Sequence, residues 1–294
     1  MSALPQESRC MSTPDKSPSK RPRSKTSYHQ RGTFLHRLDV RLPWLKLIAV
    51  VIIGAIIISD LSDLTISKIP DPENFIQNAP MSRHAKITER TLEGKMLVAL
   101  TFDDGPSSET TPQLLDLLTE KDAPVTFFML GSMARANPDI VKRIKKEHHE
   151  IASHTMYHQN LVRITDSAIR ADIGEANSVF TSILGQGPSY TRPPYGNTNA
   201  TIVDTVGNPI ILWSVDTEDW RNKNTDAIVS TAMGEVYDGA IILMHDIYPT
   251  SVEAVPALID TLRQNGYELA TISELAAARH LNLVPGEIYY NLLP

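Results

Sequence analysis

Met96-Leu97-Val98-Ala99-Leu100 runs directly into Thr101-Phe102-Asp103-Asp104-Gly105-Pro106. The first five residues are apolar with no polar alternation, the pattern of a strand covered on both faces, as in a parallel sheet. Gly105-Pro106 ends the strand. Two adjacent carboxylates therefore stand where a buried strand opens into a loop. In α/β folds that end of the sheet carries the chemistry. Neighbouring residues of an extended chain point in different directions, so one aspartate can hold a cation while the other faces a reactant.

Working outward from Met96, strand-like and helix-like segments alternate. Strands are expected at 96–100, 124–130, 150–153, 189–192, 209–215, 239–244 and 267–271. Between them Thr111-Pro112 reads as an N-cap with proline at the first helical position. Further helices are expected at 137–147, 165–184, 199–206, 225–237, 251–265 and 273–279. Repeated βα units on this scale argue for α/β architecture, one parallel sheet or barrel of about seven strands. The closing 285–294 segment is apolar and is expected to pack back on the domain or its stem.

Before this domain the chain changes character. Residues 1–43 are rich in Ser, Pro, Lys and Arg and are expected to be disordered. Leu47 to Ile58 is wholly apolar, and counting from Leu42 to Leu61 gives about twenty residues, roughly 30 Å of helix. Trp44 and Lys46 suit an interface. We expect one transmembrane signal anchor over 44–61, with the basic segment cytoplasmic by the positive-inside rule. Residues 62–94 read as a stem broken by Pro70, Pro72 and Pro80, with a short helix around 82–93. The catalytic domain is expected over 95–280, followed by a tail over 281–294.

The formal net charge of -6 hides an asymmetry. Residues 1–46 hold ten Lys/Arg against Glu7, Asp15 and Asp39, a net of +7, so the remainder carries -13. A domain that acidic is a poor nucleic-acid binder. Cys10 is the one cysteine, which rules out an intramolecular disulfide and a thiolate metal site.

Further chemistry-bearing stretches follow other strands. In His154-Thr155-Met156-Tyr157-His158 the histidines stand at i and i+4 and share one face if the segment turns helically. Two imidazoles plus one carboxylate leave open positions on a divalent ion, the pattern of a catalytic site. His148 and His149 sit at a helix end, where solvated or dipole-paired histidines are common, and His29, His36, His84 and His280 read as surface. Arg192-Pro193-Pro194-Tyr195-Gly196 is a rigid turn able to aim a backbone N–H at an oxyanion. Asp216-Thr217-Glu218-Asp219-Trp220 sets an aromatic beside carboxylates, which suits a sugar face. Leu243-Met244-His245-Asp246 places a histidine for proton transfer.

Together the five stretches resemble the motifs of the polysaccharide deacetylase family, also described as carbohydrate esterases, over about residues 95–280. The resemblance implies a distorted (β/α) barrel that removes acetyl groups from N-acetyl sugars. It implies that Asp104, His154 and His158 bind one divalent metal, zinc in most members, with cobalt or manganese as alternatives. Asp103 is then the general base toward the attacking water, and Arg192 holds it charged and oriented. The Tyr195 N–H, in the turn with Pro194, stabilises the oxyanion. His245 protonates the leaving amine with support from Asp219. Leu243 and Trp220 shape the acetyl pocket and groove.

The anchor and the cysteine-free exported domain suggest a bacterial, Gram-positive envelope. The acetylated polymer there is peptidoglycan, so N-acetylglucosamine is the expected target. N-acetylmuramic acid, chitin-like oligomers, surface polysaccharide and O-acetyl xylan are the alternatives. Rival classes are a carbohydrate-binding module on a catalytically silent version of the fold, and a metal-dependent amidase or esterase acting on non-sugar groups.

Overall fold

The structure, a computed structural model, describes residues 90–294. The basic segment 1–43, the anchor expected over 44–61 and most of the stem lie outside the described residues. Among the described residues no helix is long and apolar enough to cross a membrane. The helix expected around 82–93 enters the described residues only at 90–93, which are not helical.

The apolar run forms β1 (Met96–Asp103), buried from Leu97 onward. Around it lie β2 (Thr126–Met129), β3 (Glu150–Ser153), β4 (Ile210–Ile211), β5 (Val215–Asp216), β6 (Ile241–His245), β7 (Tyr267–Leu269) and β8 (Ile288–Tyr289). All named strand pairs are parallel. Six strands form one sheet in the order β3-β2-β1-β6-β5, with β7 on the first half of β1, while β4 pairs with β8. Single-residue bridges at Thr191 join β3 to β4. The pairing path thus returns on itself, consistent with a distorted (β/α) barrel.

The helices are α1 (Thr111–Lys121), α2 (Gly131–Ala136), α3 (Pro138–Lys146), α4 (Asp166–Leu184), α5 (Ala200–Val206), α6 (Thr225–Glu235), α7 (Pro249–Gln264) and α8 (Ile272–Ala278). The first helix begins one residue before its expected proline start and is capped at Thr110. The Thr111 hydroxyl instead donates to Asp246 Oδ2 at 2.5 Å.

The two-residue period of a strand sorts the core into layers. Val98, Leu100 and Phe102 of β1 pack with Phe127, Met129, Ile242, Met244 and the helix residues Leu114, Leu118, Leu258 and Ile259. Leu97 and Ala99 face the other way, with Phe128, Ala152, Ile211 and Ile241. Each fully buried side chain of this size contributes about 1.5–3 kcal/mol. Thr101 and Asp103 continue the inner row, where the small Ala99 and Thr101 leave room for one large polar side chain.

Two expected strands differ. The 189–192 strand shrinks to Thr191, because Pro193 lacks the N–H that would continue a ladder. The 209–215 strand is broken into β4 and β5. Between them the chain changes partner: Leu212 N donates to Tyr289 O at 2.8 Å and Ser214 N to Ile241 O at 3.0 Å. The Ile211 and Leu212 carbonyls are taken by Arg192, through Nε at 3.0 Å and Nη2 at 2.9 Å. A guanidinium thus occupies the ladder positions at the break. The 285–294 tail does fold back, as β8 on β4.

Candidate active site

In the β1–β6 ladder Asp103 stands opposite His245, and both belong to the inner rows of their strands. Arg192 reaches the same place from 89 residues along the chain: Nη1 donates to Asp103 Oδ1 at 2.7 Å and to Thr101 Oγ1 at 2.9 Å. Its side chain is fully buried, with Cζ 3.8 Å from the centre of the Phe128 ring. With its carbonyl contacts, this guanidinium has no freedom to move, and it fixes one oxygen of Asp103. Burial pushes the Asp103 carboxyl above its ordinary range, while the charges of Arg192 and His245 pull it back.

Asp104, one residue on, leaves the strand with φ 77 and turns its carboxylate toward two histidines. Its Oδ1 lies 3.5 Å from His154 Nε2 and 3.3 Å from His158 Nε2. One ligand atom from each of the three residues falls within 4.8 Å of the others. Asp104 Oδ1 is buried without a hydrogen-bond partner, an arrangement costly in an empty site and satisfied by a cation. His154 Nδ1 meets the Arg192 carbonyl at 2.7 Å, so Nδ1 carries the proton and Nε2 offers a lone pair. Burial drives the His154 pKa down to about 3, which keeps the ring neutral and ligand-competent. One carboxylate and two imidazoles fit a divalent ion with open positions. The histidines do not share a helical face: Thr155 and His158 have φ 70 and 55, and the nitrogens converge through a loop.

Across the cleft, Asp219 accepts from His245 Nδ1 at 2.8 Å through Oδ1. Its Oδ2 accepts from the His245 N–H at 2.8 Å and from Ser251 Oγ at 2.6 Å. Burial works against a charged His245. The Asp219 hydrogen bond and the charges of Asp219, Asp103 and Asp104 outweigh it, raising the pKa to about 9.

Asp103, Asp104, His154, His158 and His245 line one cleft of about 410 Å³, shared with Tyr195, Trp213, Asp216, Trp220, Leu243 and Tyr248. Tyr195 (60 % exposed) and Trp220 (48 % exposed) form its open rim. Pro194 is buried beneath, and Tyr195 has φ 64. A Cβ on Gly196 would meet the Trp213 ring at 3.0 Å, so glycine lets the turn close on Trp213. His149 corrects the expectation of a solvated helix end: it is buried, with its ring 5.7 Å from Phe127 in edge contact.

Sequence reasoning assigned no role to Thr101, Trp213, Tyr248, Asp172 or Asp246. Thr101 was reachable, since a residue two before Asp103 shares its face. Asp246 alternates to the far side of β6, fully buried, where its backbone O accepts from Thr110 Oγ1 at 2.5 Å. A Cβ on Gly105 would fall 2.1 Å from its Oδ2, so the glycine of the Asp-Asp-Gly-Pro turn is dictated by Asp246. Burial pushes the Asp246 carboxyl up to about 7, against the Thr111 hydrogen bond.

The family model for polysaccharide deacetylase matches residues 91–208. A peptidoglycan-N-acetylglucosamine deacetylase of Bacillus cereus is 37% identical over 188 residues, 62% of this chain and 68% of that protein. The chain belongs to the polysaccharide deacetylase family. The family model ends before the Asp219 and His245 stretches. A T48 deacetylase solved with substrate superposes with a TM-score of 0.64 at 39% identity, covering 66% of this chain and 96% of the other. The peptidoglycan-N-acetylglucosamine deacetylase PgdA of Listeria monocytogenes is 40% identical over 178 residues, 60% of this chain. The peptidoglycan-N-acetylmuramic acid deacetylase PdaC of Bacillus subtilis is 38% identical over 188 residues, 64% of this chain. The chain spans 38% and 40% of the lengths of these two relatives. A family 4 acetyl xylan esterase of Clostridium thermocellum, solved in complex with a cobalt ion, matches at 30% identity and TM-score 0.64, covering 67% of this chain and 98% of that one.

Proposed function

We propose that this polysaccharide deacetylase removes N-acetyl groups from N-acetylglucosamine of peptidoglycan in a reaction that depends on a divalent metal. The observation that carries the reading is the facing of two pairs, Asp103–Arg192 and His245–Asp219, over the Asp104/His154/His158 cluster in one cleft.

A divalent ion, zinc being the expected one, polarises the acetyl carbonyl and activates water when bound to Asp104, His154 and His158. Arg192 occupies Asp103 Oδ1, leaving Oδ2, 3.7 Å from His154 Nε2, facing the cluster. That oxygen takes the proton of the attacking water as its oxygen adds to the carbonyl carbon. The Tyr195 N–H stabilises the resulting oxyanion. Asp219 holds His245 Nδ1, so Nε2 is the face presented to substrate. It delivers a proton to the amide nitrogen as the C–N bond breaks, releasing acetate and a sugar amine. Leu243 packs the acetyl methyl, and Trp220 with Tyr195 offers apolar faces to the glycan.

The peptidoglycan assignment is supported by the similarity to the peptidoglycan deacetylases PgdA, PdaC and the Bacillus cereus relative. An extracytoplasmic domain tethered by the apolar run 44–61 is supported by the sequence and accords with that polymer. The test is acetate release by the full chain from purified peptidoglycan and from chitin oligomers, with zinc or cobalt and after chelation. Metal-dependent release from peptidoglycan is the expected result. Release from chitin oligomers alone keeps the chemistry and moves the polymer. No release from either, with metal demonstrably bound, refutes the deacetylase reading.

A further inference from the structure

His154-Thr155-Met156-Tyr157-His158 supplies two of the three grouped ligand side chains from a loop with two left-handed residues. Such backbone persists where its surroundings over-determine it. On the carbonyl side, Thr155 O accepts from Gly131 N at 2.9 Å and Met156 O from Ser132 N at 3.1 Å, the first residues of α2. A Cβ on Gly131 would lie 2.5 Å from Met156 Sδ and 3.0 Å from Ala176 Cα. Glycine there lets α2, the loop and α4 close on one another.

On the amide side stands a single charged group. Asp172, on the inner face of α4, is 5 % exposed. Its Oδ1 accepts from the Met156 N–H at 2.7 Å. Burial pushes its carboxyl above the usual range, and the Met156 amide draws it back toward the charged form. The middle residue between the two histidines is thus tied to a carboxylate 16 positions further on. The His154 and His158 rings are 5.0 Å apart between centres, and the intervening backbone determines that spacing.

We propose that Asp172 is a positioning residue for the metal centre: it holds the Met156 N–H, midway between the two histidines, and so sets the separation and aim of His154 and His158. The role rests on the reading of Asp104, His154 and His158 as metal ligands. Groups that orient metal ligands from behind typically change metal affinity by 10–100-fold when removed.

The test is a Co²⁺ titration of the metal-free full chain, reading affinity by competition with a chelator and ligand geometry by the visible absorption of the bound ion. Asp172→Ala should weaken Co²⁺ binding about 10–100-fold and shift the absorption bands. Asp172→Asn keeps the acceptor for the Met156 N–H but removes the charge that strengthens that bond, so it should fall between Ala and wild type. A merely structural role predicts a lower unfolding temperature with wild-type affinity and bands, and that result would overturn the proposal. If the alanine variant does not fold, the asparagine variant decides in the same titration. A wild-type chain that binds neither Co²⁺ nor Zn²⁺ overturns the metal site and this role together. Wild-type binding with equal binding by both variants overturns this role alone.

Discussion

Replacing Asp219 by asparagine keeps an acceptor for the imidazole and removes its charge. In the wild type, His245 is raised from 6.5 to about 9, so at pH 8 roughly nine-tenths of the molecules hold the proton that the leaving nitrogen needs. Without the Asp219 charge, burial opposes protonation and His245 returns toward 6.5. At pH 8 only about 3% would then be protonated, a loss of roughly 30-fold, whereas at pH 6 the loss is about 1.3-fold. The kcat/KM profile is the assay: its alkaline limb should move down by about 2.5 pH units while the acid side stays in place. Stability follows the same sign. A pKa raised by folding stabilises fully below the unfolded value, and that contribution is lost as pH rises through the folded value. Wild-type apoprotein should therefore lose up to about 3 kcal/mol from this pair between about pH 6.5 and 9, and Asp219→Asn should flatten that slope. A pH-independent rate loss, or an unmoved alkaline limb, would refute His245 as the proton donor tuned by Asp219.

Asp103→Asn should lower turnover by about 10²–10⁴ while Zn²⁺ or Co²⁺ affinity is kept, measured by single-turnover kinetics beside a metal titration; near-normal turnover would show that Asp103 is not the base. Arg192→Met should leave Asp103 buried and unpaired, costing about 3–5 kcal/mol and roughly 6–20 °C in unfolding temperature for a domain of this size, read by calorimetry on the apoprotein. An unchanged unfolding temperature would mean that Asp103 is held by something else. Asp246→Asn keeps the acceptor for the Thr111 hydroxyl and removes a charge whose pKa is raised to about 7. Because an ionised Asp246 is disfavoured by folding, the variant should gain stability relative to wild type as pH rises from 4 to 7, and a gain that does not depend on pH would contradict a buried, titrating carboxyl.

The alternation of strand and helix was legible because each signal lies within a dozen residues. Met96 to Leu100 is apolar enough to declare a doubly covered strand, and 165–184 long enough to declare a helix. The failures fall where a distant partner decides. Thr191 stands between two prolines, and the Leu212–Ser214 break exists because Arg192 takes the carbonyls beside it. The i, i+4 spacing of the two histidines puts them on one face only if the segment turns helically, a condition that a loop held between α2 and Asp172 does not meet. A helix end suggests a solvated or dipole-paired His149, and packing against Phe127 of β2 removes the solvated option.

At the site the division is sharper. Residue chemistry at strand ends singles out the stretches that hold Asp103, Asp104, His154, His158, Tyr195, Asp219, Trp220 and His245, and the resemblance to the family assigns their roles together with those of Arg192 and Leu243. Sequence also determined the class of fold, since periods of two and of about 3.6 residues are written into the chain itself. Tertiary structure alone decided the register that sets Asp103 opposite His245, the path that brings Arg192 back through the sheet, and the carboxylates of Asp172 and Asp246 that brace the loops from behind. Those depend on which strands neighbour one another and on how small Ala99 and Thr101 leave the space between them. They are relations between residues up to 142 positions apart, as for Asp103 and His245, set by closure of the whole sheet and by nothing local to any one of them.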